Sequence, residues 1–338
     1  MLSILTLLLM LVVILIAAEI FTNALEHLGE RLNISEGVTG SLFAAVGTAL
    51  PETMVPLLAI FAGTDDQHLN EEIGVGAILG APLMLSTLAV FLLAVATIQK
   101  RGTNGHFVPE KTGVIRDLDF FLVAFAIAII ALFVPHDFSA VRATLGISLV
   151  LIYFVYVMLT LRASAELVQN GHATQAESEM FLNRIGLPDN MFVILFQLAL
   201  GLVLLVAGAK GFIHGVEEVS QMIGISALLL SLLIVPVATE LPEKVNSILW
   251  IRKHKDTLAF GNITGAMVFQ GTLLPAIGIM LTPWEPRPAV LFGVIATLAA
   301  ALWLRLQLRN GGLRVWHVAV NGALYFVYIG IALIMITP

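Results

Sequence analysis

The sequence predicts an all-α, polytopic membrane protein with about ten transmembrane helices in two inverted five-helix repeats. Of its 338 residues, 59% are hydrophobic and only 12% are charged, and the mean hydropathy is +0.97. The apolar segments last for about 18 to 25 residues, which is the length of helix that crosses the roughly 30 Å hydrocarbon layer of a bilayer. A polar motif inside one of these segments recurs once in the second half of the chain.

Candidate spans follow one another with short polar connections. No Lys or Arg precedes the first of them and no small-residue cleavage site follows it, so we interpret it as a retained helix and not as a signal peptide. The predicted spans are 2–26, 36–62, 73–98, 118–135, 140–162, 190–212, 223–250, 258–281, 287–305 and 315–336.

The chain has no cysteine, which excludes disulfides and thiolate metal sites.

The longest polar connection divides the chain into two halves. It covers residues 163–189, between the fifth and the sixth span, and it is too short for a folded regulatory domain. We therefore expect a first five-helix half over residues 1–162, a cytoplasmic linker, and a second five-helix half over residues 190–338.

The distribution of Lys and Arg predicts the orientation in the membrane. If the N-terminus lies outside, the inside connections hold thirteen of these residues and the outside connections hold two. This asymmetry is the positive-inside pattern of membrane proteins. An even number of spans then returns the C-terminus to the outside as well.

An internal repeat relates the two halves. NISEGVTGSLFAAVGTALPE, residues 33–52, aligns with GISALLLSLLIVPVATELPE, residues 224–243, and both copies end on T-x-L-P-E. A second pair follows, EEIGVGAILGA at 71–81 and DTLAFGNITGA at 256–266, and both members contain G-x-x-x-G. With five spans in each half, the two copies must cross the membrane in opposite directions. Inverted repeats of this kind are typical of secondary transporters that bind their substrate near the bilayer midplane.

The repeated motif places carboxylates in apolar sequence. Glu52 ends the first copy and Glu243 the second, and Thr48 and Thr239 precede them by one helical turn. The proline before each glutamate lacks an N–H, so a carbonyl one turn back loses its helical partner. An ionised carboxylate at mid-bilayer costs at least about 2.5 to 3.5 kcal/mol, so such residues are retained for function. We expect Glu52 and Glu243 to meet between the halves and to bind one cation through hard oxygen ligands.

The two motif pairs resemble the α-repeats of the cation/Ca²⁺ exchanger superfamily. GTALPE (47–52) and ATELPE (238–243), with GAILGA (76–81) and GNITGA (261–266) after them, carry a resemblance that covers both halves. It implies a secondary active antiporter that exchanges Ca²⁺, or a similar divalent cation, for Na⁺ by alternating access. It also implies the cell (inner) membrane of a prokaryote, no resident cofactor, and no nucleic acid. The expected partners are the lipid bilayer and the transported cations, Ca²⁺ and Na⁺ or H⁺.

By position, the resemblance also implies the site. The α-repeats would cover about residues 36–98 and 223–281, and the site would lie where they meet. Its central metal ligands would be Glu52 and Glu243. Thr48 and Thr239 would add hydroxyl or carbonyl oxygens.

The chain departs from the family pattern at the sodium ligands. Pro82 and Met267 stand where Na⁺-coupled members have an amide or a carboxylate. Glu240 is a third carboxylate, three residues before Glu243 and on the same helical face, where a small residue is usual. It either joins the metal ligands or carries a proton in exchange, and alternatively it faces a helix interface beside Lys244. A proton-carrying role would favour H⁺ coupling over Na⁺ coupling.

Two amides in the second repeat extend the set of possible ligands. Asn262, which we include among the metal ligands, and Gln270 stand about two turns apart and add amide oxygens or serve helix packing. Other functions remain open: an H⁺-coupled divalent cation exchanger, an exporter of Mg²⁺ or Mn²⁺, a membrane metallohydrolase, or a cation sensor that binds without flux. The hydrolase is disfavoured because the spans near the glutamates contain no histidine, which catalytic metal sites normally use.

Overall fold

The fold is a bundle of long apolar helices with short connections. Among the residues that the computed structural model describes, seven helical segments are long and apolar enough to cross a membrane, and two shorter apolar helices accompany them. The all-α, polytopic fold class is therefore confirmed. The structure describes residues 2–31, 50–168, 179–254, 256–309 and 312–336.

The first half has six described helices, two of which form one span. A π-helical turn at Leu85–Ala89 joins α3 to α4 without a break in the helix axis. The helices are α1 (Leu2–Arg31), α2 (Leu50–Ala62), α3 (Gln67–Met84), α4 (Val90–Arg101), α5 (Lys111–Leu132) and α6 (Ser139–Val168).

The described part of the connection after α6, residues 179–189, contains one short helix, and six further helices follow it in the described residues. Two short strands, β1 (His106–Phe107) and β2 (Leu313–Arg314), pair antiparallel and connect the two halves at one face of the bundle. The remaining helices are α7 (Phe181–Arg184), α8 (Met191–Ile223), α9 (Ala227–Thr239), α10 (Leu241–Arg252), α11 (Asp256–Leu281), α12 (Pro288–Arg309) and α13 (Val315–Ile336).

Several spans are longer than the hydropathy pattern predicts, and α5 and α8 show the cause. α5 begins at Lys111 and not at residue 118, because Glu110 caps it by accepting a hydrogen bond of 2.7 Å from the N–H of Thr112. α8 continues past residue 212 and ends before Gly224, whose φ of 70° suits a residue without a Cβ. Both extensions lie in polar sequence, which hydropathy assigns to connections.

Counterpart helices of the two halves run in opposite directions. The span α3–α4 corresponds to α11 in the repeat, and Arg101 at the end of α4 contacts Asp256 at the start of α11. At the other face, Glu72 near the start of α3 pairs with Arg287, which follows the end of α11. Because the end of each helix lies beside the start of the other, the two are antiparallel, as the inverted repeat predicts.

The halves interlock around these two central spans. α5 and α6 of the first half pack on α11, whereas α12 and α13 of the second half pack on α3–α4. α1 and α8 pack along each other in a hydrophobic cluster that includes Ile14 and Phe212 and extends to α2, α3 and α9. The α1–α8 pair thus lies against α2, α3 and α9.

Gly76 and Gly80 bring α3 into backbone contact with α9. A Cβ on Gly76 would lie 2.5 Å from the carbonyl oxygen of Leu228, and one on Gly80 would meet the carbonyl oxygen of Leu232 even more closely. Both separations are far below van der Waals contact. The G-x-x-x-G motif of the first copy therefore serves close helix packing.

We expect Gly80→Ala to destabilise the folded protein by about 1 to 3 kcal/mol, because the added methyl group must push α9 away. Thermal unfolding of the purified protein in detergent measures the effect. Gly330→Ala in α13 is the matched control, since a Cβ there meets no atom within 4 Å. Equal melting temperatures for the two variants would contradict the packing argument.

Candidate cation site

The second copy of the motif interrupts its helix. α9 ends at Thr239 and α10 begins at Leu241, and Glu240 between them has φ −92° and ψ 15°. Pro242 offers no N–H to the carbonyl of residue 238, so the helical hydrogen-bond pattern cannot be complete here. The sequence predicts one span over 223–250, and the structure divides that span at Glu240.

The residues at the interruption are buried. Glu240 and Thr239 are both 0% exposed. The N–H of Glu240 donates to the carbonyl oxygen of Pro236 at 3.2 Å, and the hydroxyl of Thr239 donates to that of Val235 at 3.0 Å. Since the Thr239 hydroxyl uses its proton within its own helix, its oxygen lone pairs remain available to a cation.

Glu52 of the first half meets Gln270 of the second half. Their side chains are 4% and 1% exposed, and Nε2 of Gln270 donates to Oε1 of Glu52 at 3.5 Å, a long hydrogen bond. Among the described residues, no donor reaches Oε1 of Gln270. A carboxylate from one repeat and an amide oxygen from the other therefore lie together in the interior, and both are hard oxygen ligands.

A lysine is buried beside the interruption. Lys244, in the first turn of α10, is 4% exposed, and its Nζ donates to the carbonyl oxygen of Pro236 at 3.2 Å. The same carbonyl accepts the N–H of Glu240. The region thus contains a positive charge as well as the carboxylates that the motif supplies.

Two predicted ligands fall outside the described part of the structure. Thr48 precedes the first described residue of α2, and Glu243 lies in α10 with a side chain that is not described. A meeting of Glu52 with Glu243 therefore stays a prediction. Among the described side chains, no group of three or more His, Cys, Asp or Glu is positioned to hold a metal ion.

The structure places Asn262 away from the contact between Glu52 and Gln270. Its Nδ2 donates to the hydroxyl of Ser247 at 3.1 Å. Eight residues of α11 separate Asn262 from Gln270, about 12 Å along the helix axis. A ligand role for Asn262 stays a prediction, and Gln270 is the amide that the structure brings to Glu52.

The two residues that replace the expected sodium ligands are buried apolar residues in the structure. Pro82 in α3 is buried and Met267 in α11 is 0% exposed. Neither side chain has an oxygen atom. Gln270, one turn after Met267, offers the nearest amide oxygen on α11.

A further buried acid lies outside the predicted site. Asp117 in α5 is 5% exposed and accepts hydrogen bonds from the hydroxyls of Tyr156 at 3.1 Å and Thr264 at 2.8 Å. These contacts join α5, α6 and α11, so Asp117 holds α11 in position. Sequence reasoning misses it because the predicted span starts one residue later, at 118.

Comparison with known proteins agrees with this architecture. The family model described as "Sodium/calcium exchanger protein" matches residues 2–162 and 193–334. The "Putative antiporter CaxA" of Alkalimonas amylolytica is 25% identical over 311 residues, which cover 90% of this chain and 89% of that protein. The "Inner membrane protein YrbG" of Escherichia coli K12 is 22% identical over 321 residues, which cover 90% and 93%.

Solved structures share the fold. The H⁺/Ca²⁺ exchanger CAX superposes with a TM-score of 0.70 at 14% identity, over 99% of this chain and 87% of that one. The sodium-calcium exchanger NCX_Mj superposes with a TM-score of 0.58 at 20% identity, over 98% of both chains. These exchangers have about ten transmembrane helices. Since the family match extends across both repeats and the fold is that of the exchangers, this integral membrane protein belongs to the sodium/calcium exchanger family of the cation/Ca²⁺ exchanger superfamily.

Proposed function

We propose that the protein is a secondary active antiporter that exchanges Ca²⁺, or a similar divalent cation, for Na⁺ by alternating access. The observation that carries the proposal is the buried contact of Glu52 with Gln270, which joins the two repeats. An interrupted helix in the second repeat supports it, because inverted-repeat transporters bind ions at such interruptions. Membership of a cation exchanger family agrees with this activity.

The proposed ligands are oxygen atoms of both repeats. Several carboxylates with neutral oxygens beside them suit Ca²⁺, which takes six to eight oxygen ligands. Nitrogen and sulfur ligands, which suit zinc or copper, do not belong to the set. The set consists of Glu52, Glu240, Glu243, Thr48, Thr239 and Gln270. Asn262, about two turns before Gln270 on α11, is a further proposed ligand.

Alternating access requires one part of the protein to move against another. We infer that the α1–α8 pair is the moving part, because these two helices pack mainly on each other. In this arrangement the halves 1–162 and 190–338 are joined by a linker at 163–189 on the inside. Both termini lie outside, as the positive-inside pattern favours.

H⁺ is the second candidate for the coupling ion. The buried, oxygen-free side chains of Pro82 and Met267 favour it, since Na⁺ would lack ligands at these two positions. Glu240 is a carboxylate that carries a proton in this version of the cycle. Crowded carboxylates raise one another's proton affinity, which suits such a role.

Uptake of radioactive Ca²⁺ into proteoliposomes tests both versions. The purified protein is reconstituted, and uptake is measured under an imposed Na⁺ gradient and separately under an imposed pH gradient. We expect uptake under the Na⁺ gradient, and uptake under the pH gradient alone would establish H⁺ as the coupling ion. Glu240→Gln should alter the coupling to the gradient or the affinity for Ca²⁺, because Glu240 is both a proposed ligand and the proposed proton carrier.

The matched control for this experiment is Glu243→Gln, which should transport under neither gradient. Equal uptake by the variant and the wild type would exclude Glu243 from the site. If the wild-type protein shows no Ca²⁺ uptake under either gradient, this result would contradict Ca²⁺ antiport. Competition by Mg²⁺ and Mn²⁺ in the same assay shows which divalent cation the site prefers.

A further inference from the structure

The buried Lys244 is a charge that the proposed exchange reaction does not use. It is 4% exposed, and its ammonium donates to the carbonyl oxygen of Pro236 at 3.2 Å. Ionisable side chains inside a membrane protein are costly and rare, and those present usually mark an ion pathway. Lys244 follows Glu240 by four residues, so the two side chains lie on the same helical face at the interruption.

The position of the ammonium is one that suits a monovalent cation. The carbonyl oxygens of interrupted helices coordinate Na⁺ in inverted-repeat transporters. Here the carbonyl of Pro236, four residues before the interruption at Glu240, accepts the ammonium of Lys244. The lysine therefore places a positive charge beside a carbonyl oxygen in the last turn of α9, the kind of carbonyl that coordinates Na⁺ in such transporters.

Counting charges at the proposed site gives the consequence. With Glu243 in its predicted place, Glu52, Glu240 and Glu243 contribute three negative charges, and Lys244 contributes one positive charge. The site without transported ions then has a net charge of −2. One divalent cation neutralises it, and so do two monovalent cations. Without the lysine, three monovalent cations would be required.

We propose that Lys244 is a fixed cation of the transport site, which sets the exchange at two monovalent cations for each divalent cation, with no net movement of charge. This inference rests on the proposed antiport function. The ammonium stays in place through the transport cycle and is not itself transported.

The membrane potential tests the inference on the wild-type protein. Ca²⁺ accumulation in proteoliposomes is measured at 0 mV and at 100 mV, with the potential set by K⁺ gradients and valinomycin. We expect the same steady-state accumulation at both potentials. A cycle that moves one elementary charge would instead change the accumulation roughly 50-fold.

Lys244→Met removes the charge and keeps most of the side-chain volume. We expect this variant to bind Ca²⁺ at least about tenfold more tightly, because a nearby positive charge no longer repels the ion. Its transport should also become sensitive to the potential. Lys244→Arg retains the charge, so any transport by this variant should stay insensitive to the potential.

The outcomes separate the inference from the function on which it rests. Wild-type protein without Ca²⁺ flux would overturn both. Wild-type flux that responds to the potential would overturn the role of Lys244 alone, and this measurement requires no variant to fold. A folded Lys244→Met protein with wild-type Ca²⁺ affinity would overturn it as well.

Discussion

Glu52→Gln is expected to lower Ca²⁺ binding and exchange by at least about a hundredfold. A unit charge contributes about 4 kcal/mol at 4 Å with an effective dielectric constant of 20, and the interaction with a divalent ion is larger still. The substitution removes this attraction and retains the shape of the side chain. It also retains an amide oxygen that accepts the hydrogen bond from Gln270, so the fold should persist.

Glu218→Gln is the matched control for this prediction. Glu218 lies in α8 and is exposed, so the same chemical change occurs there without affecting a buried charge. Initial rates of Ca²⁺ uptake and equilibrium Ca²⁺ binding are compared for the wild type and the two variants. Binding by Glu52→Gln within threefold of the wild type would remove Glu52 from the proposed ligands.

The repeat is the part of the fold that sequence reasoning predicts best. Hydropathy locates the long spans. The two T-x-L-P-E motifs show which spans of the first half correspond to which spans of the second half, because the two copies of an inverted repeat share both sequence and packing. The antiparallel course of α3 and α11 follows from five spans in each half. The start of α5 does not follow from this reasoning, since it depends on the cap at Glu110, in polar sequence.

The site is less predictable because it depends on the rotation of each helix about its axis. Asn262 and Gln270 are equivalent as sequence, two amides on one apolar helix, but Gln270 donates to Glu52 whereas Asn262 donates to Ser247. The interruption at Glu240 has a local cause in Pro242, yet the sequence motif alone is compatible with a kinked but continuous helix. The buried ammonium of Lys244 is visible in the sequence only as a charge inside a span.

Arg101→Met is expected to destabilise the protein by about 3 to 5 kcal/mol, because it leaves the buried carboxylate of Asp256 without its ion pair. The Nη1 and Nη2 atoms of Arg101 donate to Oδ2 and Oδ1 of Asp256 at 2.8 and 2.6 Å. Asp256 is 5% exposed. Arg101 also donates to the carbonyl oxygen of Ile251 at 3.0 Å. It therefore fixes the end of α10 and the start of α11 to the end of α4.

The inverted repeat supplies the control for this prediction. Glu72 and Arg287 form the corresponding ion pair at the opposite face, but the Arg287 side chain is 32% exposed. The Glu72 side chain is 13% exposed, so Arg287→Met should cost less than Arg101→Met, about 1 to 2 kcal/mol, because water reaches part of the carboxylate that loses its partner. Thermal unfolding in detergent compares the two variants, and equal destabilisation would show that burial does not distinguish the pairs.

A double variant separates loss of the ion pair from loss of packing. In Arg101→Met with Asp256→Leu, no buried charge remains, so we expect most of the lost stability to return. If instead the double variant is as unstable as Arg101→Met, the hydrogen bond to Ile251 is what holds α10 and α11 together. Because α10 contains Glu243 and α11 contains Gln270, that result would assign Arg101 to positioning the cation ligands of the second repeat.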